Sequence, residues 1–216
     1  MQIFLDTADL EQIREAKRLG VLDGVTTNPT HVATTGADPK KLYPEICEMV
    51  DGPVSLETVT DQAESIVEEG RKLAAIADNV VVKVPLMREG LIAVKRLAGE
   101  GIKTNVTTTF AAGQALLAAK AGATYVSPFV GRLDAISHDG MLLARQIRTI
   151  YANYGYETQL LVAAVRHPLH VIEAAEMGAD VCTMAYPVLE QLYDHPLTEA
   201  GIAQFLTDWG KVPQST

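Results

Sequence analysis

The residue whose position most directly suggests chemistry is Lys83, which lies in a run of apolar, strand-forming residues at 79–85. Lysine is rarely buried without a partner, and burial lowers the proton affinity of its ammonium, so that the amine becomes a nucleophile near neutral pH. A neutral amine in an apolar pocket is what Schiff-base formation on a carbonyl substrate requires. Taken alone, however, the run is more typical of an edge strand whose lysine points to solvent.

Other polar residues lie at the ends of apolar runs, and they change the interpretation of Lys83. Seven consecutive runs end in, or are followed by, a group that carries charge or forms hydrogen bonds. In chain order these are Asp6, Thr27 and Asn28, Glu57, Lys83, Asn105 and Thr107, Ser127 and Arg132, and Arg166. Each has an ordinary alternative, such as a helix cap for Asp6, a turn for Asn28, and surface ion pairs for the arginines. A single site that contains them all is the simpler hypothesis.

The carboxylates and arginines have complementary tasks in carbonyl chemistry. Forming and breaking an imine needs several proton transfers, which Glu57 can carry out directly or through a water bound by Thr107. Asp6 can assist proton transfer at the hydroxyl where a carbon–carbon bond breaks. Arg132 and Arg166 follow neighbouring strands, and guanidinium groups suit a phosphate. The residues therefore predict Schiff-base chemistry on a substrate that carries an anionic group.

Eight strand patterns alternate with helix patterns along the chain. The predicted strands are 2–6, 24–27, 54–59, 80–84, 103–107, 124–128, 159–164 and 180–184. The helix patterns that follow them include 9–19, 62–76, 89–98, 111–121, 140–154 and 169–177. This alternation predicts an α/β fold with parallel strands, and eight units favour a single closed (β/α)8 TIM barrel over residues 1–216. A doubly wound open sheet is the alternative, but no Gly-x-Gly-x-x-Gly turn follows the first strand.

A barrel of this kind places its active site at the carboxyl ends of the strands, where the polar residues fall, and its late loops commonly bind phosphate. Beyond the eight units, a helix pattern at about 198–211 carries Ile202, Phe205, Leu206 and Trp209 on one face. It predicts a terminal helix that either covers its own barrel or packs on a neighbouring subunit.

Composition excludes several classes of partner. The chain has 216 residues, 48% of them hydrophobic, and a formal net charge of −9, with no long basic run. This argues against nucleic acid and anionic membranes as partners, but not against small anions. No signal peptide and no segment of transmembrane length is visible, and the two separated cysteines, Cys47 and Cys182, are typical of reduced core residues. We therefore expect a globular, cytoplasmic protein.

Five segments resemble the transaldolases, and more closely the small subfamily that includes the fructose-6-phosphate aldolases. They are 4–8 (FLDTA), 24–30 (GVTTNPT), 82–85 (VKVP), 101–107 (GIKTNVT) and 125–132 (YVSPFVGR). The resemblance extends from Met1 to about Trp209. It implies a Schiff-base mechanism without a metal or organic cofactor, sugar phosphate substrates of the pentose phosphate pathway, and a homo-oligomer, either a pentamer or a decamer.

The resemblance also implies roles for single residues. Lys83 matches the imine-forming lysine, Glu57 the acid/base glutamate, and Thr107 the threonine that holds a catalytic water. Asp6 matches the aspartate that serves carbon–carbon cleavage. The residues assigned to the substrate are Thr27, Asn28, Asn105, Ser127, Phe129, Arg132 and Arg166, of which the two arginines match a phosphate clamp.

Three positions bear on the choice between two activities within this family. In the family that the chain resembles, the aldolase branch has Gln, Ala and Tyr at these positions. This chain has Glu57, Ser127 and Phe129 instead, and these residues favour transfer of a dihydroxyacetone unit over its release. Ala164 departs from the family pattern, since a phosphate-binding serine is usual there, and predicts weaker phosphate binding. Two other hypotheses explain less: a lysine that holds pyridoxal phosphate leaves Glu57 and Asp6 without a role, and a non-catalytic scaffold leaves the polar strand ends unexplained.

Overall fold

The computed structural model describes residues 1–213 and contains eight parallel strands that close into a barrel. The strands are β1 (Gln2–Asp6), β2 (Gly24–Thr26), β3 (Val54–Glu57), β4 (Val80–Pro85), β5 (Thr104–Thr109), β6 (Tyr125–Pro128), β7 (Gln159–Val165) and β8 (Val181–Met184). Each strand pairs with its neighbours in chain order, and β8 pairs with β1. The predicted (β/α)8 barrel is confirmed, and the open sheet is excluded.

Helices connect the strands and follow the last one. They are α1 (Leu10–Arg18), α2 (Pro29–Thr35), α3 (Pro39–Met49), α4 (Ala63–Ala74), α5 (Arg88–Gly99), α6 (Ala112–Ala121), α7 (Val130–Asp134), α8 (Gly140–Tyr154), α9 (Pro168–Glu176), α10 (Tyr186–Tyr193) and α11 (Pro196–Trp209). The six predicted crossover helices correspond to α1, α4, α5, α6, α8 and α9, and their ends differ by at most two residues. The terminal helix is present but begins and ends two residues earlier than predicted.

The second strand is one residue shorter than predicted because the next helix begins immediately. The Asn28 side chain accepts a hydrogen bond from the backbone N–H of His31 at 2.9 Å, which caps the first turn of α2. Pro29 occupies the first helical position, where its missing N–H costs nothing. This capping uses Oδ1 of Asn28 and leaves its amide group at the barrel mouth.

Alternation of side chains along the strands divides the barrel interior into two layers. The lower layer is apolar and contains Phe4, Val81, Tyr125, Leu161 and Val181. Two residues further along the same strands lie Asp6, Lys83, Ser127, Ala163 and Thr183. Because successive side chains point to opposite faces, these residues lie above the apolar layer, on the same side of their strands. The barrel is thus closed by a hydrophobic floor and carries polar groups directly above it.

The outer faces of the strands pack against the helices. Val82 and Val84 of β4, for example, join the main core together with Ile66 and Val67 of α4. The two cysteines lie in this core and are unpaired, and burial raises the pKa of the Cys47 thiol to about 11 and that of Cys182 to about 12. They are therefore protonated, unreactive core residues, as predicted.

Two strands contain an extra residue in the left-handed backbone region. Between paired positions, β5 advances from Val106 to Thr109 while β6 advances by two residues, and Thr108 has φ 54°. In β7 the same irregularity surrounds Ala164, which has φ 56°. Each is a β-bulge, and neither was predicted, because Thr and Ala rarely adopt positive φ.

The terminal helix α11 does not cover the barrel. None of its residues is buried, and Leu197, Phe205, Leu206 and Trp209 each expose between 65% and 76% of their surface. Of the two predicted arrangements, the one in which this helix covers its own barrel is wrong. None of the helices within residues 1–213 is long and apolar enough to cross a membrane.

Candidate active site

Lys83 is buried at the centre of the polar layer and is paired with a carboxylate. Its side chain is 4% exposed, and Nζ lies 3.0 Å from Oε2 of Glu57. The pairing follows from the sheet, because Glu57 and Lys83 are register partners across β3 and β4. Nζ also donates a hydrogen bond to the backbone oxygen of Thr27 at 3.0 Å. The interpretation of Lys83 as a solvent-facing residue on an edge strand is therefore wrong.

Asp6, the second carboxylate, is oriented by two threonines on neighbouring strands. Thr26 Oγ1 lies 2.8 Å from Oδ1 of Asp6 and 2.7 Å from Oγ1 of Thr183. A carboxylate only accepts hydrogen bonds, so the single Thr26 proton goes to Asp6 and Thr183 donates to Thr26. His31 Nε2 lies 4.0 Å from the other Asp6 oxygen. The sequence did not single out Thr183 or His31, although Thr183 lies two residues after the inward-facing Val181 and so faces the same side.

A buried hydrogen-bonded chain connects the middle strands below the mouth. Ser127 donates from Oγ to Oδ1 of Asn105 at 2.7 Å, and Nδ2 of Asn105 donates to Oγ of Ser55 at 3.2 Å. Asn105 is completely buried, so its amide is fixed in one orientation. The hydroxyl of Thr27 donates to the backbone oxygen of Ser55 at 2.9 Å and does not reach the cavity.

Thr107 has a buried hydroxyl without a partner among residues 1–213. Its Oγ1 shares this property with Thr104 and Thr109 of the same strand. Buried hydroxyls are nearly always hydrogen-bonded, to protein or to an ordered water. Thr107 lies on the same face of β5 as Asn105, two residues earlier, and so on the side of the polar layer rather than of the helices.

The polar layer forms the base of a cavity of about 350 Å³ at the carboxyl ends of the strands. Eight of the eleven predicted site residues line it, namely Asp6, Asn28, Glu57, Lys83, Ser127, Phe129, Arg132 and Arg166. Thr27, Asn105 and Thr107 do not line the cavity. Lining residues that were not predicted as site residues include Thr26, His31, Thr108, Ala164 and Thr183.

The two arginines stand at one side of this cavity with exposed side chains. Within residues 1–213, no carboxylate lies within 4.0 Å of either guanidinium, so the alternative of surface ion pairs does not hold. The Arg132 guanidinium lies over the Phe129 ring, 5.2 Å from its centroid, a cation–π contact that leaves the planar fork free on its other side.

The bulge in β7 is what directs Arg166 to the cavity. Regular alternation from the inward-facing Ala163 would send residue 166 to the outer face. The extra residue at Ala164 shifts the alternation by one, so that Val165 joins the outer core and Arg166 faces the mouth.

Within residues 1–213, no group of three or more His, Cys, Asp or Glu side chains has an arrangement that could hold a metal ion.

Comparison with known proteins identifies the family. The family model described as "Transaldolase/Fructose-6-phosphate aldolase" matches residues 3–215. A "Probable transaldolase" of Aquifex aeolicus is 58% identical over 214 residues, which is 99% of each chain. Proteins of the same description from Myxococcus xanthus and Methanococcus maripaludis are 57% and 56% identical, covering 97% or more of each chain. This chain belongs to the transaldolase/fructose-6-phosphate aldolase family.

Proposed function

We propose that this chain is a transaldolase that moves a dihydroxyacetone unit between sugar phosphates through a Schiff base on Lys83. The reaction converts sedoheptulose 7-phosphate and glyceraldehyde 3-phosphate into erythrose 4-phosphate and fructose 6-phosphate. The observation that carries the proposal is the buried pair of Lys83 and Glu57 in the same cavity as Asp6. The proposed setting is the pentose phosphate pathway of the cytoplasm.

In the first step the Lys83 amine attacks the C2 carbonyl of the ketose. The amine must first give up a proton, and Glu57 at 3.0 Å is the nearest acceptor. Glu57 returns this proton to the C2 oxygen and then carries a second proton from the carbinolamine nitrogen to the same oxygen, which leaves as water when the imine forms. The proposed water on Thr107 extends the reach of Glu57, and the unpartnered buried hydroxyl of Thr107 supports this role.

In the second step Asp6 removes the proton of the C4 hydroxyl, and the C3–C4 bond breaks. The C4 oxygen becomes the aldehyde of the departing aldose, and the electron pair remains on C3 as an enamine attached to Lys83. The donor chain from Thr183 through Thr26 holds one Asp6 oxygen, which leaves the other toward the cavity and supports this assignment. In the reverse direction, C3 attacks an acceptor aldehyde and Asp6 returns the proton.

The choice of transfer over release depends on how long the enamine persists. Protonation of C3 and hydrolysis would release dihydroxyacetone, the aldolase outcome. In the proposed enzyme Ser127, held by the buried Asn105, contacts the C1 hydroxyl, Asn28 contacts another hydroxyl, and Phe129 bounds the cavity. Arg132 and Arg166 hold the terminal phosphate of donor and acceptor alike.

Borohydride trapping tests the proposal. With fructose 6-phosphate present, reduction should fix an adduct of dihydroxyacetone size on Lys83, located by peptide mass mapping. Lys83→Arg keeps a positive charge beside Glu57 but cannot form the imine, so it should fold and lose both adduct and activity. Lys103→Arg, at an exposed position, is the matched control and should behave as wild type. An adduct on any other lysine would overturn the assignment.

Product analysis separates the two activities of the family. Transfer to erythrose 4-phosphate or glyceraldehyde 3-phosphate should exceed the release of free dihydroxyacetone from fructose 6-phosphate. Release that is faster than transfer would identify the chain as an aldolase and leave the Schiff-base chemistry intact.

A further inference from the structure

His170 is a buried titratable residue to which the proposed reaction assigns no task. It lies in α9, exposes 4% of its surface, and is in contact with the segments that carry both arginines of the proposed clamp. Its Nδ1 accepts a hydrogen bond from the backbone N–H of Arg166 at 3.3 Å. Its Nε2 lies 2.9 Å from Oδ2 of Asp134, the last residue of α7, two residues after Arg132.

These contacts determine which nitrogen of the His170 ring carries the hydrogen. Because Nδ1 accepts from Arg166, the neutral imidazole carries its hydrogen on Nε2 and donates it to Asp134. The other oxygen of Asp134, Oδ1, accepts from the backbone N–H of Gly140 at 2.9 Å, so the carboxylate is held on both sides. One ring thus connects the turn after β7 to α7.

The charged and titratable groups around His170 are Asp134 from α7, Arg166 from the preceding turn, and His167 and Glu173 from α9 itself. Burial lowers the pKa of His170, the neighbouring His167 lowers it further, and the two carboxylates oppose this shift. The His167 ring lies 3.8 Å away between centroids. The balance favours the neutral form, which is the only form that can accept from Arg166.

A second close contact joins the same two segments independently of the ring. Gly131 precedes Arg132, and a Cβ added to it would lie 2.3 Å from the backbone oxygen of Ala164 and 2.5 Å from Cγ of Arg166. The stem of Arg166 therefore lies directly on the backbone of α7. The relative position of the two arginines depends on this contact and on the ring of His170.

We propose that His170 is a positioning residue for the phosphate site: it fixes the distance between Arg132 and Arg166 by bonding the Arg166 backbone and the α7 carboxylate at once. The inference depends on the proposed function, in which these arginines bind the substrate phosphate. Two guanidinium forks hold one phosphate only at a fixed separation, so loss of the connection should weaken phosphate binding and leave the chemistry at Lys83 unchanged.

Two substitutions separate the two hydrogen bonds. His170→Asn keeps an acceptor at the place of Nδ1 but does not reach Asp134. His170→Gln places an amide near Nε2 and loses the acceptor for Arg166. Asp134→Ala removes the α7 end of the connection, together with the hydrogen bond that Asp134 accepts from the backbone N–H of Gly140. Thermal unfolding of each variant establishes that it is folded.

The measurement is KM and kcat for glyceraldehyde 3-phosphate and for glyceraldehyde as acceptors with the same donor. We expect His170→Gln and Asp134→Ala to raise KM for the phosphorylated acceptor by about three- to tenfold, the range of one hydrogen bond, with kcat and the KM for glyceraldehyde within about twofold of wild type. His170→Asn loses the same bond to Asp134 as Asp134→Ala and keeps the bond to Arg166, so these two variants should show a similar increase in KM for the phosphorylated acceptor.

Equal losses with both acceptors, or wild-type KM values in His170→Gln and Asp134→Ala, would overturn the inference. Arg166→Ala distinguishes this result from failure of the proposed function. If Arg166→Ala raises KM selectively for the phosphorylated acceptor while the His170 and Asp134 variants do not, the phosphate clamp is supported and the positioning role of His170 is rejected. If Arg166→Ala shows no selectivity either, the phosphate site itself has been misassigned.

Discussion

At the scale of single residues, the pair of Lys83 and Glu57 combines stability with chemistry. Each is almost completely removed from solvent, and removing one member of such a pair leaves the other charge without compensation. A loss of activity in Lys83→Ala would therefore have two explanations, a missing nucleophile or a damaged fold. Substitutions that keep shape or charge are the ones that isolate the chemistry.

Glu57→Gln keeps the shape of the side chain and removes its ability to accept a proton. Because imine formation and hydrolysis both need that transfer, the overall rate should fall by about a hundredfold or more. Because Gln at this position matches the pattern of the aldolase branch that the chain resembles, the ratio of released dihydroxyacetone to transferred product should rise. Both products are measured in one assay with fructose 6-phosphate and erythrose 4-phosphate. Asp61→Asn, at an exposed position in the loop after β3, is the control. An unchanged rate and ratio would reject the role given to Glu57.

Ala164→Ser tests the departure from the family pattern. Ala164 lines the cavity two residues before Arg166, so a hydroxyl there can donate to a phosphate held by that arginine. A gain of about 1 kcal/mol would lower KM for phosphorylated sugars roughly fivefold. Non-phosphorylated sugars have no group for the new hydroxyl and serve as the control. A KM that falls equally for both kinds of sugar would contradict placement of the phosphate beside Ala164.

At the scale of elements, alternation along the strands made most of the site predictable. A polar residue two positions after an inward-facing apolar residue also points to the barrel interior, one layer nearer the mouth. This relation holds for Asp6, Lys83 and Ser127. The cavity contains all three. The same relation applies to Thr183, which lies two residues after the inward-facing Val181.

Other features had no signal in the pattern. The bulges at Thr108 and Ala164 lie in the pairing of β5 with β6 and of β7 with β8, and nothing in the local composition favours positive φ at these residues. The helices α2 and α7 are short and begin directly at strand ends, and neither was among the predicted helices. His170 lies on an ordinary helical face, and its importance arises only from the position of Asp134 in space.

The contact between α7 and the turn after β7 predicts that Gly131 does not tolerate a side chain. In Gly131→Ala the new Cβ would collide with the backbone oxygen of Ala164, which cannot move without shifting the bulge. We expect the free energy of unfolding to fall by about 1–3 kcal/mol, with an increased KM for phosphorylated substrates because Arg166 is displaced.

The control for this variant is Gly113→Ala in α6, where nothing lies within 4 Å of the added Cβ. Alanine at a helical position should leave the protein as stable or slightly more stable, by up to about 1 kcal/mol. Chemical denaturation measures both variants. Equal stability of Gly131→Ala and Gly113→Ala would show that the close contact between Gly131 and Ala164 does not contribute to the stability of the fold.

At the scale of the whole molecule, the barrel and its terminal helix differ in how far their apolar side chains are buried. The barrel buries its apolar residues against its own helices, whereas α11 exposes Ile202, Phe205, Leu206 and Trp209 on neighbouring turns. Apolar patches of this kind on a protein surface mark sites of association. This exposed face supports the homo-oligomer expected from the sequence, a pentamer or a decamer, and we propose that α11 packs on a neighbouring subunit in it.

Substitution on the exposed face of α11 tests this proposal with a matched control. Phe205→Glu adds a negative charge at the centre of the apolar face, where burial in a subunit interface would require desolvating it, so the assembly should dissociate toward monomers. Gln204→Glu adds the same charge one residue earlier, about 100° around the helix, and should leave the mass in solution unchanged. Because Phe205 is 74% exposed and contributes nothing to the barrel core, neither variant should unfold the chain.

Light scattering coupled to size-exclusion chromatography at micromolar concentration measures the mass. A wild-type protein that is already monomeric under these conditions would refute the proposed assembly, and an oligomer that survives Phe205→Glu intact would place the interface elsewhere on the barrel.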